Sequence, residues 1–310
     1  MNKKFLIVGG AIVLLVCVAV SSFFLISHNN RIEPIVFPEE LSIHHSLPET
    51  IENQIPQEKI EQIFGKELNI YKIISPQMTE KTNHLLEIFE IGNYSITEYT
   101  YSTDYDTADK RLTMYPDGSY SFRYKRDLRE SVNFTLEELI PIAENDLTEL
   151  GLMPDNFYQG GQSGRRRSDG ETEPIVLSFG PSFYREIDGY TVYGSSFIRT
   201  EYDNQGLLKI FARYSDYTFD RTVTALDFEE AYSLIRSEYA QNSFEDLTIG
   251  EIDKIILDDV RLVYYDTGDI SDPGTHILPC YVFEGMAYSG EETTEFQSWV
   301  MAIPRSMTTE

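Results

Sequence analysis

Two stretches decide how this chain reads: FTLEELIPIAENDLTELG, Phe134 to Gly151, and LDFEEAYSLIRSEYAQNS, Leu226 to Ser243. Each opens with an apolar residue, a capping residue (Thr135 or Asp227), a second apolar residue, two glutamates and an apolar residue. Thr135 to Glu138 and Asp227 to Glu230 have capping-box spacing: the first side chain bonds the N–H three residues on, and the glutamate bonds back. Phe134 with Leu139, and Leu226 with Ala231, are spaced as hydrophobic staples. Apolar residues recur at Leu136, Leu139, Ile140, Ala143, Leu147 and Leu150, then at Phe228, Ala231, Tyr232, Ile235 and Tyr239. Each set predicts an amphipathic helix with one apolar stripe. Gly151 fits the left-handed residue that ends the first helix. Pro141 falls inside it and predicts a kink near Glu137, because a proline ring clashes with the carbonyl four residues back. IPQEKIEQIFG, Ile55 to Gly65, is a fainter third copy.

Between and after these helices the period changes to two. Ile198, Thr200 and Tyr202 share one face of a strand, and Leu208, Ile210, Ala212 and Tyr214 share one face of the next. Asn204-Gln205-Gly206 joins them as a hairpin, with glycine supplying positive φ. MYPDGSYSFRY, Met114 to Tyr124, is a second hairpin. IILDDVRLVYY, LPCYVFEGMAY and EFQSWVMAIP are three further strands. Amphipathic helices lying in tandem on curved antiparallel sheets make the exterior part an α+β protein.

QGGQSGRRRSDG, Gln159 to Gly170, reads as a Gly/Ser-rich loop. Arg165, Arg166 and Arg167 in it are candidate partner-binding residues, since guanidinium groups dock carboxylates and phosphates. The plainer reading is an exposed connection whose charge has no partner.

The chain begins MNKK and then runs from Phe5 to Ile26 without a charged residue. About 20 apolar residues suffice to cross a bilayer core, and a secretory signal has a shorter apolar region followed by a small-residue cleavage site. Ala19-Val20-Ser21 is the sole such candidate, and Phe23 to Ile26 continue the apolar run past it, so an uncleaved anchor is expected over 5–26. Lys3 and Lys4 precede the span and only Arg31 closely follows it, which places residues 1–4 in the cytoplasm and everything from Ser27 outside. Residues 27–54, rich in Pro, His, Asn and Glu, read as a stalk. His44 and His45 lie in it without a third metal ligand nearby.

With 25 Lys+Arg against 51 Asp+Glu, the net charge is −26. Such a surface repels nucleic acid and anionic headgroups and leaves basic or cationic partners as the better fit. Of the two cysteines, Cys17 lies in the apolar span, so Cys280 has no intrachain partner and no disulfide framework exists. A Cys280/His276 pair shares a strand face by parity, but Pro279 intervenes and both faces of that strand are apolar; Cys280 reads as buried filler. The motifs of zinc hydrolases, serine hydrolases, dinucleotide enzymes and phosphate loops are all missing. Asp104, Asp106 and Asp109, and Asp266, Asp269 and Asp272, are acid clusters that do not match a calcium loop; exposed turns explain them. No catalytic, cofactor-binding or metal residue is assigned, and no cofactor is expected.

The run TLEELIPIAENDLTELGL, DGYTVYGSSFIRTEYDNQGLLKI, LDFEEAYSLI, VRLVYY, ILPCYVFEG and WVMAIP resembles PepSY-like and YycI-type extracytoplasmic regulatory domains, over roughly Phe134 to Pro304. The resemblance implies a helix packed on a curved antiparallel sheet, repeated, without catalysis. YycI-type members restrain a membrane sensor kinase, and PepSY-like segments accompany peptidases. It assigns no functional residue here. The expected organisation is an N-terminal α+β unit at 55–133, a first helix-and-sheet repeat at 134–223 and a second at 224–304. The expected role is a membrane-anchored, outward-facing binding or regulatory protein whose partner is another membrane or envelope protein. A cell-envelope hydrolase or metal-dependent enzyme, and a structural envelope module, are the alternatives.

Overall fold

The computed structural model describes residues 47–167, 175–237, 239–245, 251–268 and 274–304. The expected anchor Phe5–Ile26, the stalk up to residue 46 with His44 and His45, and Asp269 and Asp272 lie outside the described residues. Among the described residues, no helix is long and apolar enough to cross a membrane.

In chain order the elements are β1 (Thr50–Asn53), α1 (Gln57–Ile63), β2 (Glu67–Ile74), α2 (Met78–Ile88), β3 (Ser95–Tyr99), β4 (Ser102–Asp106), β5 (Lys110–Met114), β6 (Tyr120–Tyr124) and α3 (Leu136–Glu149). There follow β7 (Phe157–Arg167), β8 (Ile175–Ile187), β9 (Tyr190–Gly194), β10 (Phe197–Asp203), β11 (Gly206–Arg213) and β12 (Asp216–Thr224). The chain then forms α4 (Phe228–Leu234), β13 (Ala240–Phe244), β14 (Lys254–Asp266), β15 (His276–Ser289) and β16 (Glu292–Met301). The fold is α+β and mostly sheet. The strands join along the path β12-β2-β15-β14-β9-β8-β10-β11-β6-β5-β4-β3, with β1, β7, β13 and β16 attached to it.

Two helix-on-sheet cores hang on this path. In the first, Leu85 and Leu86 of α2 and Leu139, Ala143 and Leu147 of α3 pack on Leu112, Phe122, Phe183, Ile198 and Ile210 of the sheet. In the second, Ile60 and Ile63 of α1 and Ala231 of α4 pack on Ile255, Leu257, Val260, Tyr281, Phe283 and Phe296. Segment 55–133 feeds both cores, since Ile55 and Leu68 belong to the second and Leu85 to Phe122 to the first. Residues 50–53, the end of the segment expected as a stalk, form β1 and pair in parallel with β14.

Both capping boxes form. The Glu138 N–H donates to Thr135 Oγ1 at 3.3 Å and the Thr135 N–H to Glu138 Oε2 at 2.8 Å; Glu230 and Asp227 repeat the exchange at 2.9 and 3.4 Å. At the far end of α3, Gly151 has φ +68°. The Leu152 N–H reaches the Leu147 carbonyl at 2.7 Å and the Gly151 N–H that of Thr148 at 2.9 Å, a Schellman closure with Leu147 and Leu152 both in the core. Pro141 is exposed and α3 is continuous through it.

Two expectations are corrected. The second helix stops at Leu234 instead of running to Tyr239, and Ala240–Phe244 pairs with β16. Asn242 Nδ2 donates to the Ile235 carbonyl at 3.1 Å, closing the helix end from the strand. Arg236 holds the Pro48 and Glu49 carbonyls at 2.6 and 2.7 Å, tying the incoming chain to the same corner. The expected loop from Gln159 is strand up to Arg167, paired along its length with β8. Its glycines accommodate β8 side chains: a Cβ on Gly160 would meet the Tyr184 ring at 2.8 Å, and one on Gly164 would meet Phe179 at 2.7 Å.

Candidate functional site

The residues with catalytic chemistry are scattered. Cys280 is fully buried with Val263 and Val282, and burial pushes its thiol well above the ordinary range. Its Sγ approaches only the Leu278 carbonyl, at 3.9 Å. His276 lies instead beside Thr275 Oγ1, at 3.0 Å, and 4.0 Å from Asp220. The two are not brought together, and His84 is exposed on α2. Asp104 and Asp106 are not turn residues: both lie on β4, where Arg111 meets them at 3.2 and 2.8 Å and Lys125 meets Asp106 at 2.5 Å. Burial opposes ionisation of Asp106, but the hydrogen bonds from Arg111 and Lys125 outweigh it and hold the carboxyl below its ordinary value. Asp109, in the following turn, accepts from Thr107 Oγ1 at 2.9 Å. Among the described residues, no three His, Cys, Asp or Glu side chains are grouped to hold a metal.

A buried polar network occupies the seam between the two cores. Asp266, 1% exposed at the end of β14, accepts from Ser196 Oγ at 2.8 Å and from the Gly268 N–H at 3.1 Å. Burial dominates over these bonds and over the nearby Arg185 and Arg213, and pushes its carboxyl up to about 6. Arg185 sits among the rings of Phe157, Tyr214 and Tyr217, 5.0 to 5.4 Å from their centres, and donates to the Ser215 carbonyl at 2.8 Å. Arg213 donates to Asp117 at 3.2 Å and to the Gly268 carbonyl at 3.3 Å. Arg185 Nε is buried without a hydrogen-bond partner among the described residues; the other contacts are made within the chain, and the clefts described below lie elsewhere. The network joins the modules.

The surface offers two features. The first is β3, the last strand of the path, which among the described residues pairs only with β4 and is exposed at all five positions. Around it cluster Tyr94, Ile96, Tyr99 and Tyr101, exposed at 39, 56, 58 and 60%. Among the described residues eight large apolar side chains are at least this exposed, and four of them fall within eight residues of sequence. Between β3 and α2 runs an open groove of about 430 Å³, lined by Met78 and Leu86 from the helix side and by Tyr94, Ile96, Tyr99 and Tyr115. An unpaired strand edge beside a groove supplies main-chain donors and acceptors together with apolar pockets. The density of tyrosines in NYSITEYTY, Asn93 to Tyr101, is visible in the sequence, but that the stretch ends a sheet is not.

The second feature involves the predicted arginines. They end β7, a strand paired only with β8. Arg165 stands 3.6 Å from Glu201, Arg166 is exposed, and Arg167 reaches the Arg129 carbonyl at 3.4 Å. Arg165 lines both an open cleft of about 370 Å³ with residues of β6 and β11 and a neighbouring one of about 650 Å³ with Ser131 and Phe179.

No family model matches the sequence, and no curated protein matches it. Among solved structures, the chain is similar to the crystal structure of YycH from Bacillus subtilis, at 16% identity and a TM-score of 0.38. The match covers 75% of this chain and 51% of that one, so the chain spans about half the length of the structure it matches.

Proposed function

We propose that the chain is a membrane-anchored, extracytoplasmic binding protein that regulates a partner in the same membrane by docking through the β3 edge. The clustering of Tyr94, Ile96, Tyr99 and Tyr101 around a terminal strand whose outer edge is open among the described residues carries this reading, because an apolar edge left open invites pairing with another chain. An extended partner segment adding to β3 would satisfy the strand's free backbone groups and place alternate side chains in the groove against α2. Anchoring through Phe5–Ile26 would confine both proteins to one surface, so that even a modest contact is occupied. The YycI-type resemblance of Phe134 to Pro304 makes a sensor kinase the first partner to test, and an envelope peptidase the second.

A photo-cross-linker placed at Tyr99 in the full chain, activated in intact cells, tests this. The expected product is a covalent adduct with one membrane protein, abolished by Ile96→Asp, with a matching change in that partner's activity. No reproducible adduct, together with turnover of a peptide, glycan or phosphoester by the purified chain, would replace the binding reading with an enzymatic one.

A further inference from the structure

The sheet face opposite α2 and α3 carries a row of charge. Strand register sets Asp106 opposite Arg111, Arg111 opposite Arg123, Arg123 opposite Lys209, and Lys209 opposite Glu201. The alternate residues Leu112, Phe122 and Ile210 point into the first core, which sends the row outward. Three cations therefore stand side by side across β5, β6 and β11. Like charges directly opposite one another destabilise a sheet, and this chain has twice as many acids as bases from which to interleave a carboxylate. The outer two are matched, Arg111 by Asp106 at 2.8 Å and Lys209 by Glu201 at 3.4 Å. Arg123 has no carboxylate within ion-pair distance among the described residues.

The smaller of the two clefts opens beside this row and is lined by Arg123, Lys125, Arg126, Arg165, Lys209 and Tyr124, among others. Arg126 is held by Asp203 at 2.8 Å and lies over the Tyr124 ring, 4.6 Å from its centre, so its guanidinium is already oriented. Arg165 lines the larger cleft as well, so one guanidinium borders both.

We propose that this trough binds an extended acidic segment of a protein partner, with its carboxylates seated on Arg123, Lys209 and Arg165. Guanidinium forks match carboxylates in geometry as well as charge. A long polyanion or an anionic membrane would meet the field of a chain with net charge −26, whereas a short acidic segment feels chiefly the charges within a Debye length of about 10 Å. Several cations spread across strands, with two clefts bordered by Arg165, suit a chain better than a single ion.

The probe is a labelled polyglutamate peptide of about ten residues titrated into the detergent-solubilised full chain at low salt, with polyglutamine, inorganic phosphate and phosphatidylglycerol vesicles as comparisons. Polyglutamate should bind, weaken on going from about 50 to about 500 mM salt, and lose about tenfold in affinity or more in the double variant Arg123→Gln/Lys209→Gln. The charge-keeping Arg123→Lys/Lys209→Arg should retain most of the binding, which separates lost charge from lost folding. Lys72→Gln, which removes an exposed cation on β2, should change nothing, as should Ile96→Asp, so this reading and the docking edge fail separately. Polyglutamate binding that the double variant leaves intact overturns the proposal. So does binding of phosphate or vesicles at this trough without binding of the peptide.

Discussion

Replacing Asp266 with asparagine should change how stability depends on pH, and the seam network fixes both sign and size. The carboxyl moves from an ordinary 3.8 to about 6 because burial outweighs its two hydrogen bonds and the neighbouring Arg185 and Arg213. A folded-state value above the unfolded one means that the folded protein binds the proton more tightly. The stability this supplies is complete below the unfolded value and is lost as pH rises through the folded one. A shift of this size corresponds to about 3 kcal/mol at about 1.4 kcal/mol per pH unit. Asp266→Asn keeps the acceptor for the Gly268 N–H and offers an amide to Ser196 Oγ, and it does not ionise. Urea unfolding of both proteins, at steps from about pH 4 to about pH 7.5, gives the difference in unfolding free energy at each pH. Taken as variant minus wild type, that difference should climb by about 2.5 kcal/mol across the range, the remainder falling below pH 4, with most of the climb between pH 4 and 6. The same shift appears whatever the many surface carboxylates do, because they titrate alike in both proteins. A difference that is flat with pH, or that falls, would refute the claim that burial governs this group.

The remaining expectations concern the core, the helix starts and the membrane. Cys280→Ala should leave activity unchanged and lower stability by about 1 kcal/mol, and the native thiol should react slowly; rapid labelling of the folded protein would contradict its burial. Gly285→Ala should cost on the order of 3 kcal/mol in a denaturant titration, because a Cβ there would fall on the Ile256 carbonyl oxygen across the β14–β15 pair. Thr135→Ala and Asp227→Ala should each cost about 1 kcal/mol and add in the double variant, since the two caps serve separate cores; strong non-additivity would mean the modules unfold as coupled neighbours. Protease added to intact cells should remove the chain from Ser27 onward and spare the residues before Phe5, and a soluble product beginning near Ser22 would show a cleaved signal instead.

What could be read from sequence here was local. Both helix starts lie within four residues of their own signals, so Thr135 with Glu138 and Asp227 with Glu230 announced themselves. The alternation of β10 and β11 and the apolar runs of β14, β15 and β16 likewise marked strands, each of which buries an apolar face. The failures share a cause of the opposite kind. From Gln159 to Arg167, β7 holds only Gln, Gly, Ser and Arg, with no apolar residue to mark an alternation, and its glycines make sense only against Tyr184 and Phe179 of a strand that follows later in the chain. The second helix ends early because β13 finds β16 more than fifty residues downstream, a pairing that Tyr239 and its neighbours do not encode. The basic row is the clearest case. Arg111, Arg123 and Lys209 are far apart in the sequence, and only register across three strands makes them neighbours.

The position of the seam gives these surfaces a common dependence. β1 and its anchoring contacts to Tyr232 and Arg236 belong to the second core, so a tether entering before residue 47 attaches there. The β3 edge and the basic row belong to the first core, at the other end of the strand path. Between them the sheet narrows: β14 meets β9 over three residue pairs, Tyr264 to Asp266 against Val192 to Gly194, and β8 meets β9 over two. Gly194, at φ +83°, permits the close approach, since a Cβ there would fall on the Asp266 carbonyl. Where so few ladder bonds join two cores, side-chain bonds must fix their angle, and these converge on Asp266, Arg185 and Arg213. A carboxyl poised near 6 at that point means the joint is held by a group whose charge changes within a unit or so of neutrality. The angle between the two cores would then respond to the same titration as the unfolding difference of Asp266→Asn.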